Sequence, residues 1–418
     1  MSTPSLAMIP AARRATQLYS QAPNDGTGDF TVARASKNNE INSDLKLEII
    51  ANDVPAFNFD TIGGCPVLNT EPQATNLITY PITFSNAYWT LSGATLTGSQ
   101  SAPSVDFPTS AFKLVEDTST AQHVVFAFIT VTAGVDNTES FYFKKCGRRY
   151  AYISTTGGLT GTAIFDLESG VVSYEGASIV GTKITTLADG WYRCDVTANI
   201  AGTSLVCQVG TSIDGTSISH TGDGISGIYM FMGQVEQGSF STSPTFTDTT
   251  LAAEGSTTTR LAESVSITNF ADAPTDFPFA IYTDVFIENT LDGTAFSFLD
   301  ISVSNVYFNV AYQESTQKFL IEYRNGAVDI ISASSDTFGR GWHKVLAYFK
   351  SPTEKILYVN GTEQVNDTHT FEAFNSNVND LLLGQLRVSL DDGSRNSTGD
   401  FLMFNSDLTA SEMVALTS

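Results

Sequence analysis

Two stretches decide the fold: Phe319-Leu320-Ile321-Glu322-Tyr323-Arg324 before Asn325-Gly326, and Lys355-Ile356-Leu357-Tyr358-Val359 before Asn360-Gly361. Each is an apolar, β-branched and aromatic run that stops at Asn-Gly. That dipeptide supplies the two positive φ angles of a type I′ turn, whose twist matches the flanking strands. Both stretches predict β-hairpins. The same rhythm extends outward, with strands expected over residues 123–131, 139–144, 150–154 and 227–235, separated by Gly and Asp/Asn turns. Composition agrees, because 42% hydrophobic and only 16% charged residues, with 32 glycines, suit short strands alternating with turns better than helices.

The 418 residues exceed one ordinary sandwich, and roughly 150 residues per domain suggests two or three units. The expected fold class is all-β, with two β-sandwich domains in series after a short amino-terminal segment. The first sandwich is expected over 71–250 and the second over 265–418, with 251–264, rich in Thr, Ser and Ala, as a linker or crossing strand. Residues 1–70 hold a short helix around 11–19, a turn at Asn24-Asp25-Gly26-Thr27-Gly28, and extended pieces at 29–33 and 45–50, too thin to bury a core. An internal echo supports two similar modules: Asp189-Gly190-Trp191-Tyr192-Arg193 and Arg340-Gly341-Trp342-His343-Lys344 each lead into a strand.

The 44 acidic against 21 basic residues give a net charge of -23, spread along the chain. Such a surface repels phosphate backbones and anionic lipid, so neither nucleic acid nor membrane is an expected partner. There is no secretion-signal pattern and no run of about 18 apolar residues, so neither leader nor membrane anchor is expected. Cys65, Cys146, Cys194 and Cys207 form no C-x-x-C pair. They predict neither a zinc site nor a disulfide framework, and Cys194 and Cys207 lie in apolar runs as small core hydrophobes would.

Several words occur in an order that resembles phage-encoded fibre and head-spike proteins. They are Leu18-Tyr19-Ser20 through Gly26-Thr27-Gly28-Asp29-Phe30, Ala33-Arg34-Ala35-Ser36, Asn52-Asp53-Val54-Pro55, Gly64-Cys65-Pro66, Glu71-Pro72-Gln73-Ala74-Thr75-Asn76-Leu77-Ile78-Thr79-Tyr80 and Phe84-Ser85-Asn86-Ala87-Tyr88-Trp89. The order resumes at Phe165-Asp166-Leu167-Glu168-Ser169-Gly170, at Gly190-Trp191-Tyr192-Arg193 and along Gly233-Gln234-Val235-Glu236-Gln237-Gly238-Ser239-Phe240-Ser241-Thr242-Ser243-Pro244. The resemblance spans roughly the first 250 residues. It implies a jelly-roll module of the carbohydrate-binding type in a virion protein, with residues 1–70 attaching to other virion proteins and a homo-oligomer, such as a trimer, as the assembly. Residues 275–418 are similar to a laminin-G or concanavalin A-like lectin domain, through Gly341-Trp342-His343-Lys344-Val345, Ile356-Leu357-Tyr358-Val359-Asn360-Gly361, Asp400-Phe401-Leu402-Met403-Phe404-Asn405 and Leu408-Thr409-Ala410-Ser411-Glu412.

No enzyme is expected. Asp166 and Glu168 share a strand face at i and i+2, the arrangement a glycosidase needs of its two carboxylates, but the pair reads as a polar strand end before Ser169-Gly170. His123, His220, His343 and His369 are too far apart in sequence to suggest a metal or a hydrolytic triad. The ligand-binding candidates are Trp89 and the basic cluster Lys144, Lys145, Arg148 and Arg149, which could meet an anionic glycan or blunt a sheet edge as a hairpin tip. Trp191 and Trp342 are assigned to cores. No cofactor is expected beyond calcium, for which Asp391, Asp392 and Asp400 offer oxygen ligands on a loop that a plain solvated turn explains equally well. The expected function is a phage virion structural protein, in head or tail, presenting lectin-like modules to a host surface glycan. The alternative is a capsid or tail decoration protein that binds no sugar.

Overall fold

The computed structural model describes residues 6–8, 17–18, 30–59, 66–245, 254–270, 273–287, 293–299, 306–325, 328–370, 378–383 and 396–418. The fold is all-β. The chain divides into two compact units: a first sandwich from Ser36–Ala51 and Ala74–Arg260, and a second from Met1–Ala35, Asn52–Gln73 and Leu261–Ser418. No helix among the described residues is long and apolar enough to cross a membrane.

The first sandwich pairs two six-stranded sheets. One runs Ala94–Gln100, Ala111–Glu116, Gly227–Gln237, Val135–Cys146, Trp191–Ile200, Ile179–Thr186; the other runs Val171–Glu175, Thr162–Asp166, Tyr150–Ser154, Ser204–Ser212, Val124–Thr130, Thr90–Ser92. Every pairing in both is antiparallel. The period of two along each strand builds the core between them. Phe141, Phe143, Cys194, Val196, Ile228 and Met230 from one sheet meet Val125, Ala127, Ile129, Ile153, Phe165 and Cys207 from the other. Each buried Phe, Ile or Val there contributes about 1.5–3 kcal/mol. A bulge at Met232 (φ 38°) shifts the register between Phe141 and Tyr142. Gly233 follows it because a Cβ there would lie 2.4 Å from Phe141 Cε1.

In the second sandwich, Phe279–Ile287 lies between Gly341–Ser351 and Asn396–Phe404 in one sheet. Val306–Gln313, Lys318–Asn325 and Asp380–Leu383 belong to the facing seven-stranded sheet. The outer surface of the first of these sheets is covered by the helix Ala410–Thr417, with Leu408 and Met413 against Tyr348, Tyr358 and Leu402. That helix begins with a capping box, in which Thr409 accepts from the Glu412 N–H and the Glu412 carboxylate accepts from the Thr409 N–H.

The Asn360-Gly361 turn is as expected: Val359 pairs with Thr362, and φ is 49° and 80° at the two turn residues. The other hairpin differs. Asn325 pairs with Val328 and so ends the strand instead of opening the turn, and Gly326 lies outside the described residues.

The expected boundaries also differ from the observed units. Residues 36–51 join the first sandwich through the hairpin Asn38–Ile41 and Leu47–Ile50, whereas Thr31–Ala33 and Val67–Thr70 add to sheets of the second. Strands of three or four residues cannot bury a core alone, so Thr31–Ala33 and Val67–Thr70 extend larger sheets, while the hairpin 38–50 stays a two-stranded sheet that packs Ile41 and Leu47 into a cluster with Trp191 and Phe231. Within the expected linker, Thr258–Arg260 pairs with Ala74–Asn76, and at its last residue begins Ser264–Ile267, an interior strand of the seven-stranded sheet. The expected helix around 11–19 and the turn at 24–28 fall almost wholly outside the described residues.

Candidate functional site

The resemblance words turn out to hold the fold together. Arg34, 1% exposed, is ion-paired with buried Glu263 and donates to the Val54 carbonyl at 3.1 Å, while its backbone N–H donates to Asp53 Oδ1 at 2.9 Å. Asn76 bridges the bulged strand, donating to the Gly233 carbonyl at 3.0 Å and accepting from the Val235 N–H at 3.1 Å. Arg193, buried, donates to Asp195 Oδ1, Ser140 Oγ and the Thr242 carbonyl, and the adjacent Glu236 accepts from Gln234, the Thr242 N–H and the Thr242 hydroxyl. Burial raises the Glu236 carboxyl above its ordinary range against those donors and Arg193. These side chains are committed to structure.

The candidate ligand residues are likewise occupied. Trp89 is 6% exposed, packs against Phe84, Tyr88 and Phe141, and donates its indole N–H to the Tyr80 carbonyl at 2.9 Å. It is a core residue and offers no stacking face. The basic cluster is not a hairpin tip, because residues 147–149 join Val135–Cys146 in one sheet to Tyr150–Ser154 in the other. Arg148 donates twice to Glu116 and lies 3.5 Å from Asp223; Arg149 donates twice to Asp166; Lys145 lies 3.2 Å from Glu168. Lys144 is half-buried on the same strand. The Arg149 guanidinium, with the hydroxyl of Ser169 and the N–H groups of Glu168 and Ser169, holds the Asp166 carboxyl below the usual carboxylate range. Asp166 and Glu168 thus serve the turn and the arginine.

His123 and His220, distant in sequence, meet with ring centroids 4.6 Å apart, and His220 Nε2 is 3.0 Å from Glu116 Oε2. Among the described residues no group of three or more His, Cys, Asp and Glu is arranged to hold a metal ion. Asp391 and Asp392 lie outside the described residues, and Asp400 is half-buried within Asn396–Phe404. Trp342, expected in the core, is half-buried beside Phe286, ring centroids 5.3 Å apart. Its register opposite Phe286 sends it to the face away from Val285 and His343, which are buried.

The surface that stands out is the outer face of the sheet containing Val124–Thr130 and Ser204–Ser212. With Val125, Ala127 and Ile129 in the core, the alternate residues Phe126 and Phe128 face out. Phe128 is 67% exposed and Phe126 half-buried, their rings edge-to-face at 5.8 Å. Register brings Gln208 opposite Phe126 and Val206 opposite Phe128, with Ser154 beyond Gln208 and Thr90 on the other side of Phe126. Gln208 Nε2 donates to Gln122 Oε1 at 2.7 Å and to the Tyr152 hydroxyl at 3.1 Å, and Gln122 Nε2 donates to the Gly157 carbonyl at 3.2 Å. The amides are therefore locked in place, with Gln208 opposite the half-buried Phe126. At the far end of the face Ile218 packs on Val124, Tyr152 and Ile164. An exposed aromatic next to fixed amides can stack on the apolar side of a sugar ring while exchanging hydrogen bonds with its hydroxyls.

No protein-family model matches the chain, and no curated protein sequence is significantly similar to it. Parts of several solved structures are similar to it. The CBM40 of the Ruminococcus gnavus IT-sialidase, bound to α2,3-sialyllactose, is 13% identical over 37% of this chain and 96% of that one, with a TM-score of 0.32. Domain 4 of AbnA, a GH43 extracellular arabinanase from Geobacillus stearothermophilus, in complex with arabinotriose, is 14% identical over 38% of this chain and 73% of that one, with a TM-score of 0.32. The receptor-binding domain of botulinum neurotoxin D is 11% identical over 36% of this chain and 40% of that one, with a TM-score of 0.27. These neighbours are carbohydrate-binding and receptor-binding domains. The class that the structure itself defines is an all-β protein of two sandwich units.

Proposed function

We propose that the chain is a non-catalytic glycan-recognition protein of a phage particle, and that it binds sugar on the outer face of the first sandwich around Phe126, Phe128, Gln122 and Gln208. The single observation that carries the binding role is Phe128, a large aromatic 67% exposed on the strand Val124–Thr130 just past the end of its pairing with Thr90–Ser92, with its ring against Phe126, which sits opposite the immobilised Gln208. An apolar ring held in water costs solubility, and a ligand that covers it recovers that cost. The particle role rests on the ordered sequence words, and attachment through the amino-terminal residues, in a homo-oligomer, belongs to the same proposal. The carboxylates nearest to a glycosidase pair are held by arginine and lysine, which supports recognition without hydrolysis.

The test is binding of the full chain to an array of bacterial surface polysaccharides, with Phe128→Ala beside it. Loss of one stacking ring is worth about 1–2 kcal/mol, or roughly five- to thirtyfold in affinity. Since Phe128 is largely in solvent, the variant should melt with the wild type. Silence across the array would favour the sugar-free decoration protein.

A further inference from the structure

Resting on that reading of the face, we infer that it selects neutral glycans and discriminates against anionic ones such as sialylated, uronic or phosphorylated chains. The side chains on this side of the sheet, row by row, are Thr90, Phe126, Gln208, Ser154 and Thr162; Ser92, Val124, Tyr152, Ile164 and Tyr174; and Phe128 with Val206; of these Gln208, Ser154, Thr162, Val124, Tyr152 and Ile164 are buried, which leaves Thr90, Ser92, Phe126, Phe128, Val206 and Tyr174 to meet a ligand. None is charged. Among the described strand residues the one charge on this side is Asp166, opposite Tyr150 at its far end and matched by Arg149, and the loop that carries Ile218 onto the face adds a second carboxylate, Asp214, held by the N–H groups of Thr216 and Ser217.

An anionic sugar needs a cation or a set of fixed donors; of the basic cluster, Lys144 lies on a strand of the other sheet and the remaining three are already engaged. Arg148 is bound by Glu116 and Asp223, Arg149 by Asp166, and Lys145 by Glu168. The amide pair has the opposite bias. Both Gln208 Nε2 hydrogens are directed at Gln122 and Tyr152, so the atom left over is the acceptor Gln208 Oε1, which makes no hydrogen bond among the described residues. A carbonyl oxygen welcomes a sugar hydroxyl, which can donate, and repels a carboxylate, sulfate or phosphate oxygen, which can only accept. The net charge of -23 adds a long-range field of the same sign. Local chemistry and global charge therefore agree on an uncharged, hydroxyl-rich ligand with one sugar ring on Phe128. Gly157 keeps this wall open: a Cβ there would sit 3.6 Å from Gln208 Oε1 and cover it.

The experiment uses the full chain and matched pairs of oligosaccharides and polysaccharides, each neutral member beside its sialylated, uronic or phosphorylated counterpart, titrated at about 0.01 M and about 0.15 M salt. The expected result is saturable binding of at least one neutral member, a counterpart at least about tenfold weaker at low salt, and little change in the neutral affinity with salt. Phe128→Ala should weaken the neutral binding by about fivefold or more. An anionic member that binds as well as its neutral partner, with binding lost in Phe128→Ala, would overturn the selectivity and leave the glycan face standing. Binding insensitive to Phe128→Ala, or none at all, would overturn the face itself and the selectivity with it.

Discussion

Glu139 lies inside the first sandwich, opposite Val196 and Val235 on neighbouring strands, with no exposure. Neither carboxyl oxygen has a hydrogen-bond partner of normal geometry. Burial pushes this carboxyl well above the ordinary carboxylate range, with the Cys207 thiol opposing only in part, and burial followed by Glu139 pushes the Cys207 thiol up in turn. The folded state therefore holds Glu139 neutral while the unfolded chain ionises it near the ordinary value of 4.5. Because the folded state binds the proton more tightly, the penalty is absent below that value. It grows as pH rises, at up to about 1.4 kcal/mol per pH unit, until the folded-state value is passed. Replacing the carboxyl by an apolar chain of similar length removes both the linkage and the unpaired polar group. Glu139→Met should gain on the order of 1–3 kcal/mol at neutral pH, raising the melting temperature by about 2–4 °C per kcal/mol for a unit of this size. Calorimetry of both proteins at pH 4, 6 and 8 reads this directly, and the gap should widen with pH. A Glu139→Met variant that loses stability equally at all three values would refute the reasoning, because it would mean that the carboxyl is satisfied and the site shaped for it.

Arg34→Met strands the Glu263 carboxylate in a buried site and should cost about 3–5 kcal/mol, with Glu263→Met in the same chain restoring a large part; denaturant melts of the three variants check it. Gly361→Ala forces a Cβ onto a residue at φ 80° and should cost about 1–2 kcal/mol in a thermal melt without altering glycan binding. Asp166→Asn removes a partly exposed pair worth up to about 1 kcal/mol. Since the folded-state carboxyl titrates below the unfolded one, that contribution is present at neutral pH and fades as acid protonates Asp166, so the two proteins should converge in acid melts. A chain starting at Asn76 lacks Thr31–Ala33, Arg34 and Val67–Thr70, and the melting transition of its second sandwich should be lost or strongly lowered.

The strands and the Asn360-Gly361 turn were legible because they are local: alternation sets the face and the dipeptide sets the turn. The function of the amino-terminal residues was not, since Arg34 finds Glu263 at a separation of 229 residues and no local pattern announces it. The candidate face escaped for a different reason. In Val124-Val125-Phe126-Ala127-Phe128-Ile129 both faces are apolar, so the run reads as a wholly buried strand, and only the folded structure shows that Ile218 covers Val124 while Phe128 on the same face lies in solvent. The opposite error was made at Trp89, whose aromatic character suggested a ligand while its indole N–H serves the Tyr80 carbonyl in the core. The basic cluster misled because charge counted along the chain ignores the acids that folding brings beside it.

The central claim is that a sugar sits on the outer face of the first sandwich. Amide hydrogen exchange of the full chain, with and without a saturating concentration of its tightest-binding oligosaccharide, tests this most directly. Added protection confined to Val124–Thr130, Ser204–Ser212 and the loop around Gly157 is the predicted result. Protection that leaves those segments unchanged and appears in the second sandwich instead would contradict it.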